Sequence, residues 1–257
     1  MKAILPIVLA GLAVTACQTA PAANAGFLSQ YEGLVTREDT LRASIRERRD
    51  DAAAAMIDRV YLEPAVLVGP VGTQLSEPER QAVLREVDRQ VCYEVSERYI
   101  LSPVARGAAR VRVGVVGIGA TGQAGSGVAA VANIFIPGPG TFRVPGTTGG
   151  LAAEAELVSA QGQQVAALAW ARNANVVGTD SPSLSRVGDA LQMAEPFGDS
   201  VGDAISPTDR PARPISDPDP CASYGPRTQP AGFLTRLVTG IYVPEVNTGS
   251  RPPAEPK

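Results

Sequence analysis

Histidine is absent from this 257-residue chain, and lysine occurs twice, at Lys2 and Lys257. Without histidine, neither a Ser-His-Asp triad nor a Cys-His nucleophile can be assembled. With both lysines at the chain ends, Schiff-base chemistry, a Ser-Lys dyad and pyridoxal phosphate attachment have no credible amine. The cysteines are three, Cys17, Cys92 and Cys221, too few for a cysteine-rich zinc site, and zinc sites containing histidine are excluded outright. No long block of like charge occurs, and 23 basic residues face 26 acidic ones, so nothing points to nucleic acid. The expectation is no cofactor, no metal and no catalytic set. The conceivable chemistry is confined to carboxylates, tyrosines, hydroxyls and arginines.

What is present begins at the N-terminus. Met1-Lys2 is a minimal positive region, and Ala3 to Val14 is apolar apart from Pro6 and Gly11. That run is too short to span a bilayer and has the length of a signal-peptide core. It ends in Leu12-Ala13-Val14-Thr15-Ala16-Cys17, which looks like a lipobox, the thiol of Cys17 being the lipid acceptor. The expectation is removal of residues 1–16 and acylation of Cys17. Several acyl chains hold firmly where one binds marginally. Gln18 is not acidic, which by resemblance to enteric lipoproteins favours the outer membrane, with the chain facing the periplasm. Residues 17–25 read as a tether.

Residues 26–205 read as one domain. Thr36 to Asp51, with arginines at 37, 42, 46, 48 and 49, reads as a solvated helix or loop face. Asp58 to Val68 reads as a strand. Ser76-Glu77-Pro78-Glu79 is a capping box, and Leu84, Val87, Val91 and Val95 recur at helical spacing, predicting a helix to about Arg98. Tyr99 to Val104 is a short strand or exit turn, and the alternation from Arg110 to Ile118 predicts a strand with one buried face. Residues 119–150, rich in glycine and proline around an apolar island at Val128 to Ile136, read as a long irregular excursion. Leu151 to Arg172 reads as a hairpin turning at Gly162, although its alanines would also suit a helix. Ser185 to Ile205 reads as a helix kinked or broken near Pro196. Residues 206–257 hold 11 of the 22 prolines and are expected to be a largely disordered tail, with an apolar island at Phe233 to Val243.

The motifs have plain readings. Gly117-Ile118-Gly119-Ala120-Thr121-Gly122 is a G-x-G-x-x-G after a strand, but the position about 20 residues on, Pro137 to Phe142, holds no acid for a ribose, so a flexible turn is the better account. Glu154 and Glu156 share a strand face; same-face acids are ordinary on an exposed strand. Cys92 and Cys221 would pin the tail to the domain as a disulfide, the alternative being one buried and one exposed thiol.

The order of features is similar to that of a known family. It comprises the lipobox, Gly26-Phe27-Leu28-Ser29, Asp58-Arg59-Val60-Tyr61-Leu62-Glu63-Pro64, the amphipathic helix, the strand at Arg110, Glu154-Ala155-Glu156-Leu157-Val158-Ser159-Ala160-Gln161-Gly162, and a helix at Gly188-Asp189-Ala190. Together these resemble the domain of unknown function 3313 family of Gram-negative lipoproteins over about residues 26–205. The resemblance implies an α/β (α+β) fold: one small mixed or mostly antiparallel sheet with two main helices on one side. It supplies no catalytic residues. The functional expectation is a non-enzymatic, periplasm-facing lipoprotein that binds an envelope protein through the 119–150 excursion or the tail. A binder of a small or lipidic ligand is the alternative, and a carboxylate-based hydrolase the third reading.

Overall fold

A computed structural model describes residues 24–248 except 39, 41, 125–140, 143–145, 176 and 179. The lipobox, the segment 1–16, residues 17–23 of the tether, much of the excursion including Val128 to Ile136, and residues 249–257 lie outside the described residues. In chain order the elements are β1 (Val35–Thr36), β2 (Ala43–Arg49), α1 (Asp51–Ala55), β3 (Arg59–Leu62), β4 (Val66–Leu67), α2 (Glu77–Ser96), β5 (Ile100–Leu101), β6 (Ala109–Gly119), β7 (Thr141–Phe142), β8 (Gly150–Val158), β9 (Gln164–Asn173), β10 (Val177–Gly178) and α3 (Gly188–Ile205). A 3₁₀ turn at Ala222–Tyr224, α4 (Pro230–Thr239) and α5 (Pro244–Asn247) follow.

Eight strands form one mixed sheet in the order β1-β2-β9-β8-β6-β3-β5, with β4 also on β6; β7 and β10 make a separate pair. The β8–β9 hairpin is the centre of the sheet, antiparallel to β6 on one side and β2 on the other. β3 and β4 run parallel to β6, and Pro64, which has no amide proton, stands in the gap between them. This is an α+β fold, with α2 and α3 covering one face of the sheet.

The core lies between that face and the helices. Val111, Val113, Val115, Ala153, Ala155, Leu157, Leu168 and Trp170 point inward from the strands. Val83, Val87, Val91 and Val95 of α2, with Leu191, Phe197 and Val201 of α3, meet them. Trp170 and Phe197 pack edge to face at 5.5 Å. Helix α2 starts where the capping box predicts: Glu79 reaches back to accept from the Ser76 amide at 2.7 Å. Pro196 does not break α3, which runs through it, and the Ser200 hydroxyl donates to the Pro196 carbonyl at 2.8 Å. The two helices cross closely because Gly198 has no side chain: a Cβ there would lie 2.9 Å from Cβ of Gln90.

The charged segment is β2, a strand rather than a helix or loop face. Ile45, its one large apolar side chain, is buried opposite Trp170, while Arg46 and Arg48 point to the other side of the sheet. A single inward apolar residue among charges is too weak a period to read locally.

Residues 206–229 have little regular structure, as their prolines dictate, yet they are tied down at three places. Arg210 places its guanidinium 4.3 Å from the Tyr99 ring and donates to the carbonyls of Ala54 and Ile57 at the end of α1. A disulfide joins Cys92 to Cys221, whose Cα atoms are 5.9 Å apart across 129 residues of sequence, and both cysteines are buried with Tyr93. Arg227 lies 4.5 Å from the Tyr93 ring and pairs with Asp219 at 2.9 Å. Beyond them, Tyr242 is buried and the Ser183 hydroxyl donates to its carbonyl at 2.9 Å. Proline-rich sequence cannot hold itself by a hydrogen-bond ladder, so these side-chain fasteners do the holding.

A bond closing so long a loop is worth about 3–5 kcal/mol. The Cys92→Ala, Cys221→Ala double variant is expected to lose that much stability in urea unfolding and to become cleavable between residues 206 and 229 while the sheet domain survives. A loss below about 1 kcal/mol would show that the tail is held without the bond.

Candidate functional site

Two rows of side chains cross the outer face of the sheet, the face opposite the helices. One row is Arg46, Ala169, Glu154 and Gly114; the next is Arg48, Ala167, Glu156 and Arg112. Alternation along β6, β8 and β9 puts these residues on that face, and the expected pairing of Glu154 with Glu156 on one side of β8 is present. The expected exposure is not. Glu154 is 1% and Glu156 0% accessible. The cover is the N-terminal segment, residues 24–31, which lies over the sheet as a strap.

The strap is held by the two carboxylates. Glu154 accepts from the amides of Ala25 and Phe27 at 3.0 and 3.3 Å and from the Tyr31 hydroxyl at 2.6 Å. Glu156 accepts from the Ser29 amide at 2.8 Å, the Ser29 hydroxyl at 3.0 Å, the Gln164 amide group at 2.7 Å and the Arg112 guanidinium. Residues 25, 27 and 29 have the two-residue period of extended chain, and so do 154 and 156, so carboxylates on one strand meet successive inward amides of the strap. Burial and the Glu154 bond both raise the Tyr31 pKa above its usual range, so this hydroxyl stays a donor. Around the carboxylates, Arg48 reaches Gln164 and Gln30, and Arg46 donates to Asn24 at 2.6 Å.

The strap's side-chain anchor is Phe27. Its ring sits over Gly114, where a Cβ would lie 2.6 Å from Cγ of Phe27 and 2.7 Å from Cγ2 of Val68. The Arg112 guanidinium is 5.0 Å from the ring centroid, and the neighbouring Leu28 is buried. Phe27 and Ser29 belong to the Gly26-Phe27-Leu28-Ser29 stretch quoted for the family resemblance, whereas Gly114 and Arg112 were not singled out in the sequence. Gly114 occupies an outward position of β6, one residue before the register shift between Val115 and Gly117, and a glycine there marks a close approach by another chain segment.

Chemically, the carboxylates are fully engaged. With three donors on Glu154 and four on Glu156 and no solvent access, neither is placed to exchange a proton with a substrate. The glycine motif is likewise committed: the Thr121 amide donates to the Arg186 carbonyl at 2.7 Å and the Gly122 amide to the Thr147 carbonyl at 2.8 Å. The Thr121 hydroxyl accepts the Asp189 amide at the start of α3, 3.0 Å away. Among the described residues no three His, Cys, Asp or Glu side chains cluster as metal ligands, and no helix is long and apolar enough to cross a membrane. An open cleft of about 710 Å³ lies between α1 and residues 207–213. Of the three arginines that line it, Arg98 is bonded to Glu94 and Asp203 and Arg210 to the α1 carbonyls, and Arg213 is the third. Cys92 and Cys221 are in the disulfide, and Cys17 lies outside the described residues.

A family model described as "Protein of unknown function (DUF3313)" matches residues 23–201. The chain belongs to this family. The match begins one residue before Asn24, where the described strap starts, and ends within α3, so both the strap and the sheet belong to what the family shares. No curated protein matches. Among solved structures the chain is similar to the PelC dodecamer from Paraburkholderia phytofirmans, with 11% identity and a TM-score of 0.36 over 67% of this chain and 99% of that one. A leucine-to-methionine variant of the same PelC dodecamer gives 10% identity and a TM-score of 0.37 over 65% and 99%.

Two outcomes follow from this geometry. Gly114→Ala is expected to lift the strap and cost about 1–3 kcal/mol. Adding Phe27→Ala should recover part of that loss, so a double-mutant cycle in urea will show coupling; strictly additive losses would mean that Phe27 does not sit in the Gly114 socket. The second outcome concerns Asp88, which accepts the Ala65 amide at 2.7 Å and is pushed up to about 6 by burial. Because the folded value lies above the unfolded one, its contribution to stability is present at low pH and is lost as pH rises through 6. Stability is expected to rise on acidification from pH 7 to pH 5, and Asp88→Asn, which keeps the acceptor, to remove about 1.3 kcal/mol of that rise. An unchanged pH profile in the variant would refute it.

Proposed function

We propose that this protein is a lipid-anchored, non-enzymatic accessory or binding protein of the Gram-negative envelope. Acylated Cys17 would hold it at the outer membrane, and the domain would face the periplasm. One observation carries the reading: the chain emerging seven residues after Cys17 is fastened to the sheet by Glu154 and Glu156. An anchor at Cys17 therefore acts on the folded domain through a tether of at most about 25 Å, rather than through a long loose linker. The same observation disfavours the hydrolase reading, since the two glutamates that could have served it hold the strap instead.

Changing Cys17 to Ala is expected to move the protein from the membrane fraction to the soluble fraction of the host, with its urea unfolding curve unchanged. Wild-type protein in the soluble fraction, or a Cys17→Ala protein that stays with the membranes, would sink the anchoring role.

A further inference from the structure

Among the described residues, helix α4 is docked by one side. Gly232 faces α5, where a Cβ would lie 2.4 Å from the Val246 carbonyl. The opposite side carries Phe233, Leu234, Leu237 and Val238, which are 58, 56, 70 and 81% exposed. Their spacing of i, i+1, i+4 and i+5 makes one stripe. At these exposures the stripe presents roughly 400–500 Å² of apolar surface, the size at which a patch on a folded protein marks an interaction site. Arg236 is exposed beside the stripe, and no acidic residue occurs between Pro226 and Pro244. Phe233 and Arg236 also border a cleft of about 240 Å³ that runs down to Gln90 and Glu195 on the α2 and α3 helices.

What covers this face can be decided among three occupants. The first is the bilayer that would hold Cys17. The strap lies on one side of the sheet and α4 lies on the outer side of α2 and α3, so three successive layer spacings of about 10 Å separate them. Seven residues from Cys17 to Asn24 reach about 25 Å at most, too little to turn α4 onto the same membrane. The second is another copy of this chain. Pairing two stripes would bury about 900 Å², as any single helix on this stripe would, so area does not decide. Residues 233–238 are centred next to Arg236, so a two-fold axis there would set two guanidinium groups against each other. The third is an amphipathic helix of a different protein, with an apolar face for the stripe and a carboxylate for Arg236, and it meets neither objection.

We infer that α4 is the docking surface for an acidic amphipathic helix of another envelope protein, with Phe233, Leu234, Leu237 and Val238 as the apolar seat and Arg236 as the charge that sets its register. The inference deepens the envelope reading above and rests on it for excluding the bilayer.

The test is a photo-crosslinking amino acid at position 237 of the full-length chain in its host, with Arg106, exposed elsewhere on the domain, as the control position. Crosslinked peptides are mapped by mass spectrometry. The expected product is a peptide of a different protein, apolar on one helical face, with an Asp or Glu within one turn of the linked residue. Arg236→Glu should lower its yield at least tenfold, and Arg236→Lys should keep it. Crosslinks to lipid, to α4 of a second copy, to a helix without an acid, or none above the Arg106 control would each overturn the inference. So would a yield indifferent to the charge at 236. Fractionating the same cells distinguishes the two failures: a mapped acidic helix linked to protein found in the soluble fraction overturns the anchoring and keeps the surface.

Discussion

A carboxylate taken out of water and left without partners costs several kcal/mol, and this fold buries two of them side by side on one face of a sheet. Everything on that face answers to the need for donors. The strap supplies three backbone amides and two hydroxyls from Ser29 and Tyr31, and the sheet supplies Arg112 and Gln164. Small residues in the rows, Gly114, Ala167 and Ala169, leave room for the strap to descend to the carboxylates. The dependence runs both ways. The strap has little apolar surface of its own beyond Phe27 and Leu28, and without it the glutamates would lose both their cover and most of their donors.

The opposite end of the chain is held by a different set of forces. Residues 206–229 contain too many prolines for a backbone ladder, and their order depends on a covalent bond and on two arginines lying over tyrosine rings. Arg210 at Tyr99 and Arg227 at Tyr93 also spread their guanidinium donors over backbone carbonyls and the Asp219 carboxylate, so burial does not strand their charge. The result is a domain clamped at both termini on opposite sides, with the strap on the sheet and α4 with α5 on the helices. That arrangement places the strap and α4 on opposite sides of the domain. It is the physical basis for proposing the apolar stripe of α4 as a partner surface.

How much of this was legible in the residues depended on the range of the interaction. Helix α2 could be read directly, because its capping box and its Leu84, Val87, Val91, Val95 stripe act over three or four residues. The β8–β9 hairpin and the inward face of β6 were visible for the same reason. β2 was not, since Ile45 is its one large inward apolar residue and five of its seven positions are polar. The Cys92–Cys221 pairing could be posed and not decided, because closing a loop of 129 residues depends on where the tail packs and not on spacing.

The amino-acid sequence by itself determined the inventory and the local elements. It established the absence of histidine, the want of any internal lysine, the periods of helix and strand, and the placement of Glu154 and Glu156 on one side of a strand. Only the tertiary structure decided what covers that side. Alternation says which way a side chain points, but exposure is a property of whatever folds over it, and the covering residues here stand more than 120 positions away in the chain. The same holds for α4. Its apolar residues were plain in the sequence, while which of them turn inward and which are left facing outward follows from where Gly232 and Tyr242 find their contacts.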